Sequence, residues 1–178
     1  NMSCATSVLT STTSHTVTTA LMSVESSSAS EPILQIKNTT NDANGATLKF
    51  VKDKGAAGAD GDDIGSILFV GDDAAQTQTN FGKILCEVGE ADDTDEAGKL
   101  TIQVASSNGT TTGLENGIVL TGHKTSDYVD VTLGSGTSST TTVAGHLTVN
   151  GTTTTVNSTT VTIDDPVFTL GGDTAPGS

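Results

Sequence analysis

Any chemistry in this chain has to come mainly from its carboxylates. Two acidic clusters stand in its first half: Asp60, Asp62 and Asp63 within DKGAAGADGDD, and Asp92, Asp93, Asp95 and Glu96 within GEADDTDEAG. Calcium sites gather several carboxylate and carbonyl oxygens from one loop, so a bound Ca2+ is the first chemistry to consider. Neither cluster has the Asp-x-Asp-x-Asp-Gly spacing, with a Glu closing the loop, that an EF-hand needs. Solvated turn carboxylates explain both more simply. The expectation is no cofactor, with Asp60, Asp62, Asp63, Asp92, Asp93 and Asp95 kept as candidate Ca2+ ligands. His146 joins them on a different ground, since three copies on the axis of a trimer would present three imidazoles to one ion.

Catalysis finds less support. His15, His123 and His146 fall in Thr/Gly-rich contexts, with no nucleophile or ligand at a useful spacing. There is no G-x-S-x-G elbow, and the GSG at Gly134–Gly136 lies in low-complexity sequence. Asp164 and Asp165 are adjacent, so in extended backbone they face opposite sides and cannot act as the paired carboxylates of a glycan hydrolase. A turn before Pro166 suits them better. Cys4 and Cys86 share no metal-ligand spacing and read as free thiols of a protein assembled in a reducing cytoplasm. The chain is expected not to be an enzyme. Nor does it offer an obvious sugar platform: Tyr128 is the lone Tyr, and Phe50, Phe69, Phe81 and Phe168 sit in apolar strand contexts that suit a core. Sequons at Asn38, Asn108, Asn150 and Asn157 arise by chance in a chain this rich in Asn and Thr.

The elements that must position these residues are strands. Thr numbers 34 and Ser 18; Thr fits a pleated, half-buried surface and Ser favours turns. Leu, Ile, Val and Phe together number 39 of 178 residues, just above the roughly 20% below which acidic chains tend to stay disordered. With no Trp and one Tyr, the core must be thin. Burial stabilises whether the covering atoms come from the same chain or another, so an obligate oligomer, a homotrimer wound about a long axis, is expected in place of a monomeric sandwich.

Charge narrows the partners. The formal net charge is −14, with seven Lys and no Arg. Arg is the preferred residue for phosphate and base edges, and Lys/Arg clusters drive nucleic-acid binding. Nucleic acid and anionic membrane surfaces are excluded as partners, and no window approaches the roughly 18 apolar residues of a membrane span. The start, NMSCATSVLT, lacks the basic and apolar regions of a secretory signal. That start and the turn-like end, GGDTAPGS, read as the limits of a piece of a longer chain.

Three regions follow from the patterning. Residues 1–30 are an extended connector. Residues 31–133 form an antiparallel β domain, with strands expected at Ile33–Lys37, Ala46–Lys52, Ile64–Val70, Phe81–Val88, Lys99–Ala105, Gly117–Leu120 and Tyr128–Leu133, and a short helical turn around Asp73–Thr77. Residues 134–178 are a low-complexity hinge followed by a Thr-rich fibrous segment. There Leu147, Val149, Val156, Val161, Ile163, Val167 and Leu170 recur between turn signals, as in a chain winding in short β segments around partner chains.

Two blocks carry a resemblance. Ser30–Ala105, opening SEPILQIKNTTNDANGATLKFVKDKGAAGADGDDIGSILFV, and Leu147–Pro176, LTVNGTTTTVNSTTVTIDDPVFTLGGDTAP, resemble segments of tail-fibre-like and fibrous appendage structural proteins of tailed, marine-type bacteriophages. The resemblance implies an extended homotrimer in the virion, assembled in the host cytoplasm. It would pack against other virion proteins and support adsorption, with any host receptor met by regions outside this segment. A head fibre or capsid decoration protein is the alternative in the same class, and a bacterial surface adhesin or filament protein shares the same β habit.

Overall fold

Stretches in which Ile, Leu and Val alternate with polar residues, separated by Gly/Asp/Asn loops, become strands wherever a neighbouring strand completes their hydrogen bonds. The computed structural model describes residue 18, residues 21–151 and residue 155, and all its regular structure is β. The strands are β1 (Asp63–Asp72), β2 (Gln78–Glu90), β3 (Ala97–Ser107), β4 (Thr112–Gly122) and β5 (Val129–Leu133). Each pairs antiparallel with the next, giving one five-stranded sheet in the order β1-β2-β3-β4-β5. The described part of the chain is all-β and antiparallel, as its patterning implies. Each expected strand from Ile64 onward falls in this sheet, most of them longer than expected, with Tyr128 left just outside β5.

Two expected strands do not form. Ile33–Lys37 and Ala46–Lys52 join no ladder among the described residues, because alternation supplies a strand's faces and not its hydrogen-bonding neighbour. The second segment instead lies against β1, where a Cβ on Gly65 would stand 2.8 Å from the Phe50 Cβ. The helical turn expected around Asp73–Thr77 is a hairpin loop. Asp73 Oδ1 accepts the N–H groups of Ala75 at 2.8 Å and Thr77 at 2.9 Å, a side chain standing in for the backbone of a turn. Asn108 does the same at the next-but-one hairpin, accepting from Thr110 and Thr111 at 2.9 Å.

The ladder is interrupted by bulges at Ile64, Phe81, Gly89 and Gly117, each an extra residue between two registered pairs. Bulges bend a strand and increase the local twist. At Gly117 the displaced carbonyl accepts the N–H of Gly134 at 2.9 Å, which ties the end of β5 to the bend in β4.

Register fixes which side chains share a face, since directly paired residues point the same way and neighbours along a strand point oppositely. One face carries the row Ile67–Ile84–Ile102–Ile118–Leu133, crossing all five strands. Beside it run Cys86–Leu100–Leu120–Val131, and Phe69–Gly82–Val104–Glu115 on the other flank. The opposite face carries Ser66–Leu85–Thr101–Val119–Thr132, flanked by Leu68–Lys83–Gln103–Asn116 and by Glu87–Lys99–Thr121–Asp130. Among the described residues only Leu85, 8% exposed, and Thr101, 2% exposed, are buried. Both lie on this second, mixed face.

Candidate functional site

Two cross-strand pairs on the mixed face join polar side chains within the chain. Lys99 Nζ lies 3.0 Å from Glu87 Oε2, its cross-strand neighbour. Gln103 Nε2 donates to Asn116 Oδ1 at 2.9 Å, again directly across the ladder. These long side chains flank Leu85, Thr101 and Val119, and their aliphatic stems exclude water from the central row. At the centre of that row Thr101 Oγ1 is buried without a hydrogen-bond partner.

The apolar face is open. Its side chains stand bare along both outer strands, with Phe69 55% and Val131 60% exposed, and even central Ile102 is 37% exposed. In the three rows given above its only charged residue is Glu115, at one corner, where Ser135 Oγ donates to Oε2 at 2.9 Å. The aromatic residues expected in a core are likewise outside one. Phe50, Phe69, Phe81 and Tyr128 are all exposed, because the described residues form one sheet with no second sheet packed on it; Phe168 lies outside the described residues.

The acidic clusters are held by turns and lysines. Asp62 Oδ2 lies 2.6 Å from Lys54 Nζ and accepts the Ala59 N–H at 2.9 Å. The Lys54 hydrogen bond, with the Ala59 N–H behind it, holds the Asp62 carboxyl below the usual carboxylate range. Asp60 Oδ1 accepts the Ala91 N–H at 2.9 Å, clamping its loop to the far end of β2. Asp63 opens β1, in register with Glu87. In the second cluster the Asp95 N–H donates to the Asp92 carbonyl at 3.0 Å, and Asp93 is exposed on the same turn. Among the described residues no three of His, Cys, Asp and Glu gather in a way that could hold a metal ion. His146 is exposed and outside the sheet. Cys4, His15, Asp164 and Asp165 lie outside the described residues, as does most of the Thr-rich segment.

Across from the second cluster the β4–β5 hairpin brings up a group that spacing alone does not single out. Lys124 Nζ lies 2.7 Å from Glu90 Oε2. That hydrogen bond lowers the Glu90 pKa and raises that of Lys124 from their ordinary values. The His123 ring sits 4.0 Å from the Tyr128 ring at an interplanar angle of 32°, and His123 Nε2 is 3.0 Å from Asp130 Oδ2. The signal available in sequence was the short KTSD turn between His123 and Tyr128, which closes with the His123 N–H on the Tyr128 carbonyl at 3.2 Å. Asp95, Glu96, Lys124 and Asp127 share an open groove of about 420 Å3 here. A second groove, about 800 Å3, is lined largely by Ser, Thr and Asn with Glu115. Both are shallow and solvated, suited to water and counter-ions more than to an enclosed substrate.

No helix among the described residues is long and apolar enough to cross a membrane. Among the described residues the apolar face meets Phe50 at Gly65 and Ser135 at Glu115, and the isoleucine row between them stays exposed at Ile67, Ile102 and Ile118. Comparison with protein-family models and with curated proteins finds no match to this chain.

Proposed function

We propose that this chain is a structural component of a phage virion: a homotrimeric shaft of a tail fibre or appendage that supports host adsorption. The observation that carries this reading is the imbalance of burial. Among the described residues a sheet of five strands buries only Leu85 and Thr101, while an apolar row spanning every strand stays open. A chain of this kind completes its core with further copies of itself, and an extended rod is a natural product. The resemblance of Ser30–Ala105 and Leu147–Pro176 to fibre-like virion proteins supports the same assignment, and the acidic charge keeps a repeated assembly soluble. The work is mechanical. Backbone ladders and shared apolar rows make a stiff spacer that resists shear and proteolysis, with other virion proteins at its ends. Such a part has no need of a catalytic centre or a cofactor.

Size exclusion with multi-angle light scattering, with and without EDTA, together with negative-stain electron microscopy, tests the reading. The expected result is the mass of three 17.8 kDa chains in elongated particles. A folded single-chain mass would overturn it in favour of an independent adhesin-like module. Loss of the trimer in EDTA would restore the acidic loops as ion sites.

A further inference from the structure

The apolar face has a composition, size and relief that together specify what covers it. We infer that the face centred on Ile102 is the contact between copies of this chain, so that the missing core is assembled from three sheets. This rests on the self-associating reading proposed above and adds which surface does it.

Size comes first. The four intervals between five strands, at about 4.8 Å each, make the sheet roughly 19 Å across. Its rows extend a similar distance along the strands, so each copy offers an apolar patch of about 400 Å2 in plan. Three-way closure takes all three patches out of water, roughly 1,200 Å2 in all but only about 400 Å2 for each pair of copies, so the contact forms as a closed trimer and not as a stable dimer. Geometry then favours a three-sided closure. Three sheets of this width, set as the sides of a triangular prism, hold their central strands about 5.5 Å from the axis, close to half the roughly 10 Å at which sheets pack face to face. Ile102, on the middle strand β3, would meet its two counterparts there. The same arrangement sets β5 of each copy beside β1 of the next. It thereby shelters two edge strands whose exposed apolar residues would otherwise invite uncontrolled pairing.

Charge and relief point to the same occupant. Each chain carries −14, so copies meet with least repulsion through a surface free of carboxylates. In its three central rows the apolar face has only Glu115, at a corner, whereas the mixed face carries Lys83, Glu87, Lys99 and Asp130. A basic partner would find nothing to grip on the apolar face. The face also alternates ridge and furrow. The isoleucine row stands up, while Gly98, two rows away, has open space where a Cβ would be. Interdigitation of this kind is how sheet faces pack.

The test uses the whole chain. Light scattering is run on the wild type, on Ile102→Lys, and on Thr132→Lys as a control on the opposite face. The expected result is a threefold fall in mass for Ile102→Lys and no change for Thr132→Lys. To separate lost contact from lost folding, Ile102→Cys and Thr132→Cys are each placed in a Cys4→Ser, Cys86→Ser background and treated with a short bismaleimide. Copies joined through position 102 and not through 132 support the inference. An Ile102→Lys variant that keeps the wild-type mass, or an Ile102→Cys variant that gives no cross-link, overturns the face while leaving the trimeric fibre standing. A wild-type chain that runs as one copy overturns both.

Discussion

The two faces of this sheet bury in opposite ways. The mixed face holds both buried residues, Leu85 and Thr101, yet it is the face rich in polar groups. The apolar face carries the Ile67–Leu133 row and leaves it open. The rows beside Leu85 and Thr101 carry the long side chains of Glu87, Lys99, Lys83 and Gln103, whose aliphatic stems can cover a central row, whereas Ile, Val and Leu are too short to cover one another. A polar face can shield itself. An apolar face needs a second layer; among the described residues Phe50 stands against Gly65 at its β1 edge, while the isoleucine row remains exposed at Ile67, Ile102 and Ile118.

The comparison can be broken most severely at its centre. Ile84→Ala on the apolar row removes a side chain expected to lie between copies, and should cost about 2–5 kcal/mol per chain. The readout is a urea transition whose midpoint depends on chain concentration in the wild type and loses that dependence in the variant. The equivalent change on the other face, Thr132→Ala, should shift the midpoint by less than about 0.5 kcal/mol. Next in size is Gly65→Val. The new side chain would meet Phe50, and displacing that ring should destabilise by about 1–3 kcal/mol, with increased proteolysis near residue 50.

Thr101→Val sharpens the contrast from the mixed face. Its hydroxyl is buried without a partner between Leu85 and Val119, so a near-isosteric apolar replacement should stabilise by about 1 kcal/mol. Calorimetry reads this as a raised Tm. A fall would mean that the hydroxyl has a partner in the assembly.

The smallest effect is that of pH. The Asp62 and Glu90 carboxyls have lowered folded-state pKa values through Lys54 and Lys124. Their stabilisation is therefore present above the ordinary carboxylate pKa of the unfolded chain and is lost as pH falls through the lowered values. Lys124 has the opposite sign: its folded pKa is raised by Glu90, so its contribution holds below the ordinary ammonium pKa and is lost as pH rises through the raised value. Urea midpoints from about pH 7 down to about pH 3 should show a modest fall, reduced in Lys54→Met and Lys124→Met. An unchanged slope in both variants would remove these pairs from the acid response.

Much of the sheet was legible from alternation, which needs only local residues. Lys99–Ala105 alternates cleanly and lies wholly inside β3. Ile33–Lys37 and Ala46–Lys52 alternate too, and fail for want of a neighbouring strand, which no local pattern encodes. The acidic loops were legible as turns, but not their partners: Asp60 meets Ala91, and Glu90 meets Lys124, across more than thirty residues of sequence. The apolar face was hidden for a related reason. Alternation assigns residues to two sides of a strand without saying what lies on either, so Phe69 looked like core in a place where a single chain has no core to offer.

The strict meander order of the sheet bears on how such a particle is built. Every strand hydrogen-bonds to its neighbours in sequence, so hairpins can close on the microsecond scale without waiting for distant chain. A sheet can take shape on each chain while synthesis continues, and the proposed meeting of copies would then be a separate, collision-limited step. On the proposed trimeric reading, the yield of trimer would then rise with the local concentration of folded chains.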